Sequence, residues 1–240
     1  MMPDGIKSDF HMHTNFTDGK SSVEEMIRAA DKNGLEKIAI TEHIRADSAW
    51  VNEYIDAVQQ GRKNSACEVI LGFETKLMDM NGTLDISKDA ENRAELIICS
   101  LHRIPGLHEM SGNMSISELN KKKTKDIYVQ ALKAICKNKS VDIIGHPFDL
   151  LQKFNVPMPD AAEMHDIAKT IAECGKVVEI NTNYNVPPVE FIRICKSCGV
   201  KFSIGSDAHD ATRVGDISRA LEMLKQAGGT NEDIMKRCFK

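Results

Sequence analysis

Ser8-Asp9-Phe10-His11-Met12-His13-Thr14-Asn15-Phe16-Thr17-Asp18-Gly19 reads as a short strand running into a polar turn that ends on glycine. His11 and His13 are two positions apart, so a strand sends both imidazoles out of one face. Two neutral nitrogen donors on one face are the start of a metal site, although a strand with two incidental histidines is spelled the same way. The remainder of the chain decides between the two, because it repeats the arrangement at one strand end after another.

Outward from this stretch the pattern is strand, turn, helix. After a first strand over 7–13, short apolar runs at 37–41, 68–73, 95–100, 141–145, 176–180 and 201–205 bring the strands to seven. Ser21-Ser22-Val23-Glu24-Glu25 is a helix start, with serine as cap and acid in the first turn. Its helix carries Val23, Met26, Ile27 and Ala30 on one face and stops at Asn33-Gly34. Further helices are expected around 50–62, 116–137, 159–174, 188–198, 214–227 and 231–238. Loops are expected over 104–113 and 150–159, with an irregular stretch over 77–89.

Most of the strands lack polar alternation, as strands covered on both faces of a parallel sheet do. Seven strand–helix units in series favour an α/β fold closed, or nearly closed, into a TIM-like β/α barrel. No linker rich in Pro, Gly or Ser divides the 240 residues, so 1–240 is expected to form a single domain.

The polar residues fall in one place. His11 and His13, His43, Glu74, His102, His146, and Asp207 with His209 all lie at or just past C-terminal strand ends. In a β/α barrel those ends converge on the face where active sites form. Six of the eight histidines choose that edge, which scattered core histidines have no reason to do. Clustered carboxylates and imidazoles call for compensating positive charge. Mixed nitrogen and oxygen donors suit Zn²⁺, Mn²⁺ or Fe²⁺ better than Mg²⁺ or Ca²⁺, and so many donors exceed one tetrahedral ion. Two or three divalent metal ions are therefore expected.

The motifs Asp9-Phe10-His11-Met12-His13 with Asp18-Gly19, Ile40-Thr41-Glu42-His43, Gly72-Phe73-Glu74, Ser100-Leu101-His102, Gly145-His146-Pro147 and Gly205-Ser206-Asp207-Ala208-His209 follow one another over 6–215. In these the chain resembles the polymerase and histidinol phosphatase (PHP) family of metal-dependent phosphoesterases. The resemblance implies a distorted seven-stranded barrel. It also implies one metal on His11, His13, Glu74 and Asp207, with Glu74 bridging to a second on His102, and a third on Asp18, His43, His146 and His209. Some members have histidine where Asp18 stands. The implied chemistry is hydrolysis of a small phosphorylated metabolite, histidinol phosphate or another phosphomonoester or nucleotide, by a metal-bridging hydroxide. Asp207 and His209 are the candidates for passing a proton to the leaving group.

Other residues carry two readings. Arg45 and Arg103 stand where a phosphate-binding cation is useful, or are exposed loop arginines; Lys76 and Lys153 are weaker candidates of the same kind. Asn181, ending the sixth strand, is expected to turn its amide to the site and contact substrate. Glu42 is expected to point away from His43 and support the site from behind. His108 and His165 read as surface residues, Trp50 as helix packing and Lys121-Lys122-Lys123 as a solvated helix start. Cys195 and Cys198 have C-x-x-C spacing but no second pair.

Composition narrows the function. A net charge of −4 without a long basic run argues against nucleic acid and for a small substrate. No apolar run is long enough to span a membrane, and no signal peptide is visible. Seven scattered cysteines suit a reducing, cytoplasmic setting. Beside the phosphatase reading stand a 3′–5′ exonuclease-like phosphodiesterase, an amidohydrolase-type C–N hydrolase, and a catalytically silent metal-binding regulatory module.

Overall fold

The computed structural model describes residues 5–105 and 120–236. The strands are β1 (Ser8–Asp9), β2 (Lys37–His43), β3 (Glu68–Lys76), β4 (Leu96–Ser100), β5 (Ile143–Ile144), β6 (Val177–Asn181) and β7 (Phe202–Gly205). They form one parallel sheet of seven strands in chain order. The stretch after β1 runs beside the end of β7 and brings the sheet round into a barrel. Phe10 N donates to Ile204 O at 2.9 Å, Asp207 N to His11 O at 2.9 Å and His13 N to Ala208 O at 2.8 Å.

Eight α-helices lie among the described residues: α1 (Val23–Lys32), α2 (Val51–Gly61), α3 (Lys88–Arg93), α4 (Lys121–Ile135), α5 (Asp149–Lys153), α6 (Ala161–Glu173), α7 (Val189–Ser197) and α8 (Ser218–Gln226). None is long and apolar enough to cross a membrane.

The period-two alternation of the strands separates packing from chemistry. Ile38 and Ile40, Val69, Leu71 and Phe73, Ile97 and Cys99, and Val178 and Ile180 face the helices in two large apolar clusters. The intervening residues face inward. Phe10, Ala39, Ile70, Leu96, Ile98, Ile143, Val177 and Met235 make a small cluster of their own at the lower end of the strands. Towards the C-terminal ends the same inward faces become small or polar: Thr41 then His43, Gly72 then Glu74, Glu179 then Asn181, Gly205 then Asp207. The strands are therefore apolar outside over most of their length, with Asp9, Glu42 and Thr75 as polar exceptions, and polar inside towards their tops.

Helix α1 is as its sequence suggests. Ser22 caps it, accepting from Glu25 N at 3.3 Å while Glu25 Oε2 accepts from Ser22 N at 2.8 Å, and Val23, Met26, Ile27 and Ala30 are buried.

Three expectations are corrected. The first strand is two residues long, not 7–13. The buried Asp9 carboxylate accepts from Ser206 N and Gly215 N, both at 2.9 Å, and ties the chain there to β7's extension. Residues 150–159 are not all loop, since α5 starts directly after Phe148, whose φ of 77° makes the turn.

The third correction concerns the helix expected over 231–238, whose described part is a single 3-10 turn, Asn231–Asp233. Beyond it Ile234 bridges Phe202 in parallel, and Met235 N donates to Phe202 O at 2.9 Å. A backbone paired with β7 cannot also close helical bonds, and burying Met235 in the barrel's lower cluster favours the pairing. Residues 116–119 of the helix expected over 116–137 fall outside the described residues, as do His108 and Cys238.

Removing the Ser22 hydroxyl leaves an N-terminal N–H of α1 without its partner. Ser22→Ala is expected to lower unfolding free energy by about 1 kcal/mol, read as a lower urea midpoint at unchanged m-value; an unshifted midpoint contradicts the capping role.

Candidate metal centre

Strand ends bring the polar residues into one cluster around Glu74, a buried side chain on the inward face of β3. Its Oε1 lies 2.9 Å from His146 Nε2 and 3.2 Å from His102 Nε2. Its Oε2 lies 2.7 Å from His43 Nδ1 and 3.5 Å from the Nε2 atoms of both His11 and His13. Asp207 Oδ1 is 3.4 Å from His13 Nε2 and 3.9 Å from His11 Nε2. Asp18 sits at the outer edge, 3.4 Å from His43 Nε2 and 3.3 Å from His209 Nε2.

Donor atoms converge in three overlapping sets: His11, His13 and Asp207; His13, Asp18, His43 and His209; and His43, Glu74 and His102. His146, expected with Asp18, His43 and His209, shares Oε1 of Glu74 with His102.

These residues fit divalent ions by their chemistry. His11 Nε2 and His13 Nε2 face each other at 3.1 Å, an approach that two lone pairs or two N–H groups resist unless a proton or cation lies between. Glu74 Oε2 is buried and has no well-aligned hydrogen bond, although His43 Nδ1 stands 2.7 Å away. Burial opposes charge on His11, His43 and His146, yet the acids facing them prevail. Glu179, Glu74 and Asp207 raise His11; Asp18 and Glu74 hold His43 up at about 10; Asp149 and Glu74 raise His146.

His13 goes the other way. Its burial, reinforced by His43 and His11, brings it to about 4. The acids are held ionised: Glu74 and Asp207 against burial by the surrounding imidazoles, Asp18 chiefly by the His43 hydrogen bond. The cluster thus demands positive charge and collects it as protons, in the places where divalent ions supply it otherwise.

A supporting layer lies beneath. Glu179 Oε1 is 2.8 Å from His11 Nδ1 and 3.0 Å from Asn181 Nδ2, and Glu179 Oε2 accepts from His146 N at 2.6 Å. Asp149 Oδ2 is 3.2 Å from His146 Nδ1. A carboxylate on the far ring nitrogen fixes a ligand histidine's tautomer and raises its basicity. Gly205 makes room for this layer, since a Cβ there would stand 2.1 Å from Glu179 Oε1.

His146 and Asp207 also hold positive φ values of 22° and 53°, sparsely populated for residues other than glycine. The hydrogen bonds from His146 N to Glu179 and from Asp207 N to His11 O keep them so. Glu179 and Asp149 were not singled out from sequence. The available signal for Glu179 was a lone acid inside the apolar run 176–180, on the same strand face as Asn181.

The cluster forms the floor of an open cavity of about 580 Å³, with Arg45, Ser48, Trp50, Lys76 and Tyr184 on its walls. Of the proposed substrate contacts, Arg45 lines this cavity. Arg103 does not; it is exposed, with Nη2 3.3 Å from Met78 Sδ. Asn181 is fully buried, its amide between Glu179 and Asp207 and its oxygen accepting from Tyr184 N at 3.0 Å.

The weaker candidates separate as well. Lys76 lines the wall and pairs with Asp85 at 3.0 Å, whereas Lys153 lies over the Phe154 ring. Trp50 packs on Phe16, Tyr54 and Phe73 and also reaches the cavity. Glu42 turns away, accepting from Thr14 N and the Thr17 hydroxyl. Cys195 lies on α7 and Cys198 caps its C-terminus, with Cys198 Sγ 3.9 Å from the exposed His165.

A family model described as the PHP domain matches residues 9–183. A probable phosphatase of Thermoanaerobacter sp. (strain X514) is 29% identical over 240 residues, covering 95% of this chain and 89% of that protein. A probable phosphatase of Caldicellulosiruptor saccharolyticus is 28% identical over 231 residues, covering 90% and 86%. Among solved structures, histidinol phosphate phosphatase from Lactococcus lactis subsp. lactis Il1403, complexed with zinc, L-histidinol and phosphate, superposes with a TM-score of 0.66. It is 20% identical and covers 93% of this chain and 94% of its own.

Two outcomes are expected from this geometry. Glu179→Gln keeps the shape but loses the charge behind His11, and is expected to weaken divalent-ion binding about 10–100-fold, measured by chelator competition alongside an apo-protein melt. An unchanged affinity contradicts the supporting role. Zn²⁺ binding is expected to release protons from the imidazoles held above their ordinary pKa, so affinity rises with pH and falls as they reprotonate. Calorimetry in two buffers of different ionisation enthalpy checks this.

Proposed function

The chain belongs to the PHP domain family, and on that premise we propose that it is a metal-dependent phosphoesterase releasing phosphate from a small phosphorylated molecule. The observation that carries the reading is Glu74, whose two oxygens are shared among converging donor sets at the floor of the cavity. A volume of about 580 Å³ suits a metabolite-sized ligand.

Two or three ions, Zn²⁺, Mn²⁺ or Fe²⁺, are proposed on His11, His13 and Asp207, on Glu74 with His102 and His146, and on Asp18, His43 and His209. Zinc is the ion held by the Lactococcus lactis neighbour. Bound there, they lower the pKa of a water and polarise the phosphoryl oxygens.

The chain's own residues do the rest. Glu74 keeps the donor sets in one register, and Glu179 holds His11 with Nε2 towards the cluster. Asp207, kept ionised by His11 and His13, acts as a ligand rather than a proton donor. His209, at the rim with Nδ1 3.0 Å from Asp207 O, is the side chain proposed to hand a proton to the leaving oxygen. Arg45 stands on the wall above as a substrate contact.

Residues 1–240 are proposed to work as one unit in a reducing, cytoplasmic setting, which the free thiols among the described cysteines support. Histidinol phosphate heads the substrate panel because the Lactococcus lactis structure holds L-histidinol and phosphate.

The test is phosphate release from p-nitrophenyl phosphate and a panel of phosphomonoesters by protein loaded with Zn²⁺ or Mn²⁺. Activity is expected to vanish with chelator, to return on adding the ion, and to fall at least about a hundredfold in the His11→Ala, His13→Ala double variant. Stoichiometric metal with no phosphoester turned over overturns the reading.

A further inference from the structure

We propose that the substrate carries a second anionic group, a phosphate or a carboxylate, beyond the ester that is cleaved, and that Arg45 and Lys76 bind it. This rests on the phosphoesterase reading of the same site.

The argument starts from strand register. His43 on β2 and Glu74 on β3 are register partners, and the pairing continues with Ile44 N donating to Glu74 O at 2.9 Å. Arg45 and Lys76 each follow their ligand by two positions. Side chains two apart on extended chain share a face and are displaced by about 6–7 Å along it. The two cations therefore form a rung above the metal-binding rung, on the same wall of the cavity that both line.

This rung is built. Lys76 Nζ pairs with Asp85 Oδ2 at 3.0 Å, and Asp85 Oδ1 accepts from Ala46 N at 3.0 Å, which ties the turn carrying Arg45 to the lysine. Ser48 closes that turn, its hydroxyl accepting from Arg45 N at 3.0 Å and its N–H donating to Arg45 O at 3.1 Å. Among the described residues no carboxylate pairs with the Arg45 guanidinium, so its fork is available for bidentate contact with phosphate or carboxylate.

The complementary observation concerns acids. Every carboxylate among the described residues lining the cavity, Asp18, Glu74 and Asp207, belongs to the proposed metal sets. None is left to pair with an ammonium group on a substrate. The described walls are thus charged for an anion, and an aminoalkyl phosphate such as histidinol phosphate meets no counter-ion among the described residues.

Matched pairs of phosphoesters test this. Fructose 1,6-bisphosphate is compared with fructose 6-phosphate, and 3-phosphoglycerate with glycerol 3-phosphate, with histidinol phosphate and p-nitrophenyl phosphate alongside. The more anionic member of at least one pair is expected to have the higher kcat/KM by about tenfold or more. The first pair reports a phosphate and the second a carboxylate.

Arg45→Ala, at an exposed position, is expected to collapse that ratio mainly through KM, and Arg45→Lys to restore part of it. Equal turnover within both pairs, preference for histidinol phosphate, or a ratio unmoved in Arg45→Ala overturns the proposal. If p-nitrophenyl phosphate and every other ester are untouched by metal-loaded protein, the phosphoesterase reading itself falls and takes this one with it.

Discussion

The Glu74 carboxylate is the constraint on which the rest depends. It is buried, and five imidazoles, those of His11, His13, His43, His102 and His146, place a nitrogen within 3.5 Å of one of its oxygens. A charge taken out of water must be paired or it destabilises the fold by several kcal/mol. Here the partners come from the ends of β2, β4 and β5 and from the segment after β1. Asp207, after β7, joins them because the sheet closes far enough to set the segment after β1 beside the end of β7. Closure is carried by backbone bonds at Phe10, His13 and Asp207, two of which are themselves donor residues. Ring closure and donor convergence are therefore one event.

The period of the β-strand lets a stable fold carry so unfavourable a cluster. The apolar outward residues pack against the helices, so that packing is separate from what the inward residues do. On the inward face, glycine is used where the supporting layer approaches the backbone. A Cβ at Gly145 would stand 2.1 Å from Ser100 Oγ, and one at Gly205 equally close to Glu179 Oε1. The polar layer therefore occupies space that the strands themselves vacate, without opening the outer core.

Legibility from sequence followed the range of each interaction. The cap, apolar face and stop of α1 are fixed by neighbours within a few residues, and they read correctly from Ser22, Glu25 and Asn33-Gly34. The strands are legible as apolar runs because parallel strands are covered on both faces, though β3 runs on through Glu74 to Lys76 and β5 shrinks to Ile143–Ile144. The length of β1 did not, because Asp9 is bonded to Ser206 and Gly215, far along the chain. The tail beyond Asn231 misled for the same reason: its amphipathic spelling fits a helix, but pairing with Phe202 is available only once the barrel exists. The donor residues converge because they sit at or past strand ends; His146, which the resemblance puts with Asp18, His43 and His209, has its ring between Glu74 and Asp149.

Electrostatics give the cavity a vertical order that follows from these placements. Its floor carries the carboxylates of Asp18, Glu74 and Asp207, of which Glu74 and Asp207 are buried where charges are poorly screened and Asp18 stands at the outer edge in solvent. Protons on the raised imidazoles of His11, His43 and His146 offset those charges. Divalent ions on the same donors would add positive charge to the floor, and Arg45 and Lys76 would then act with it. Arg45 and Lys76 follow His43 and Glu74 by two positions, and Asp85 holds the Lys76 ammonium in place at 3.0 Å. On the proposed reading, productive binding of an anion is thus strengthened by a loaded floor. That follows from three carboxylates being held ionised by imidazoles whose protons are the first thing a metal displaces.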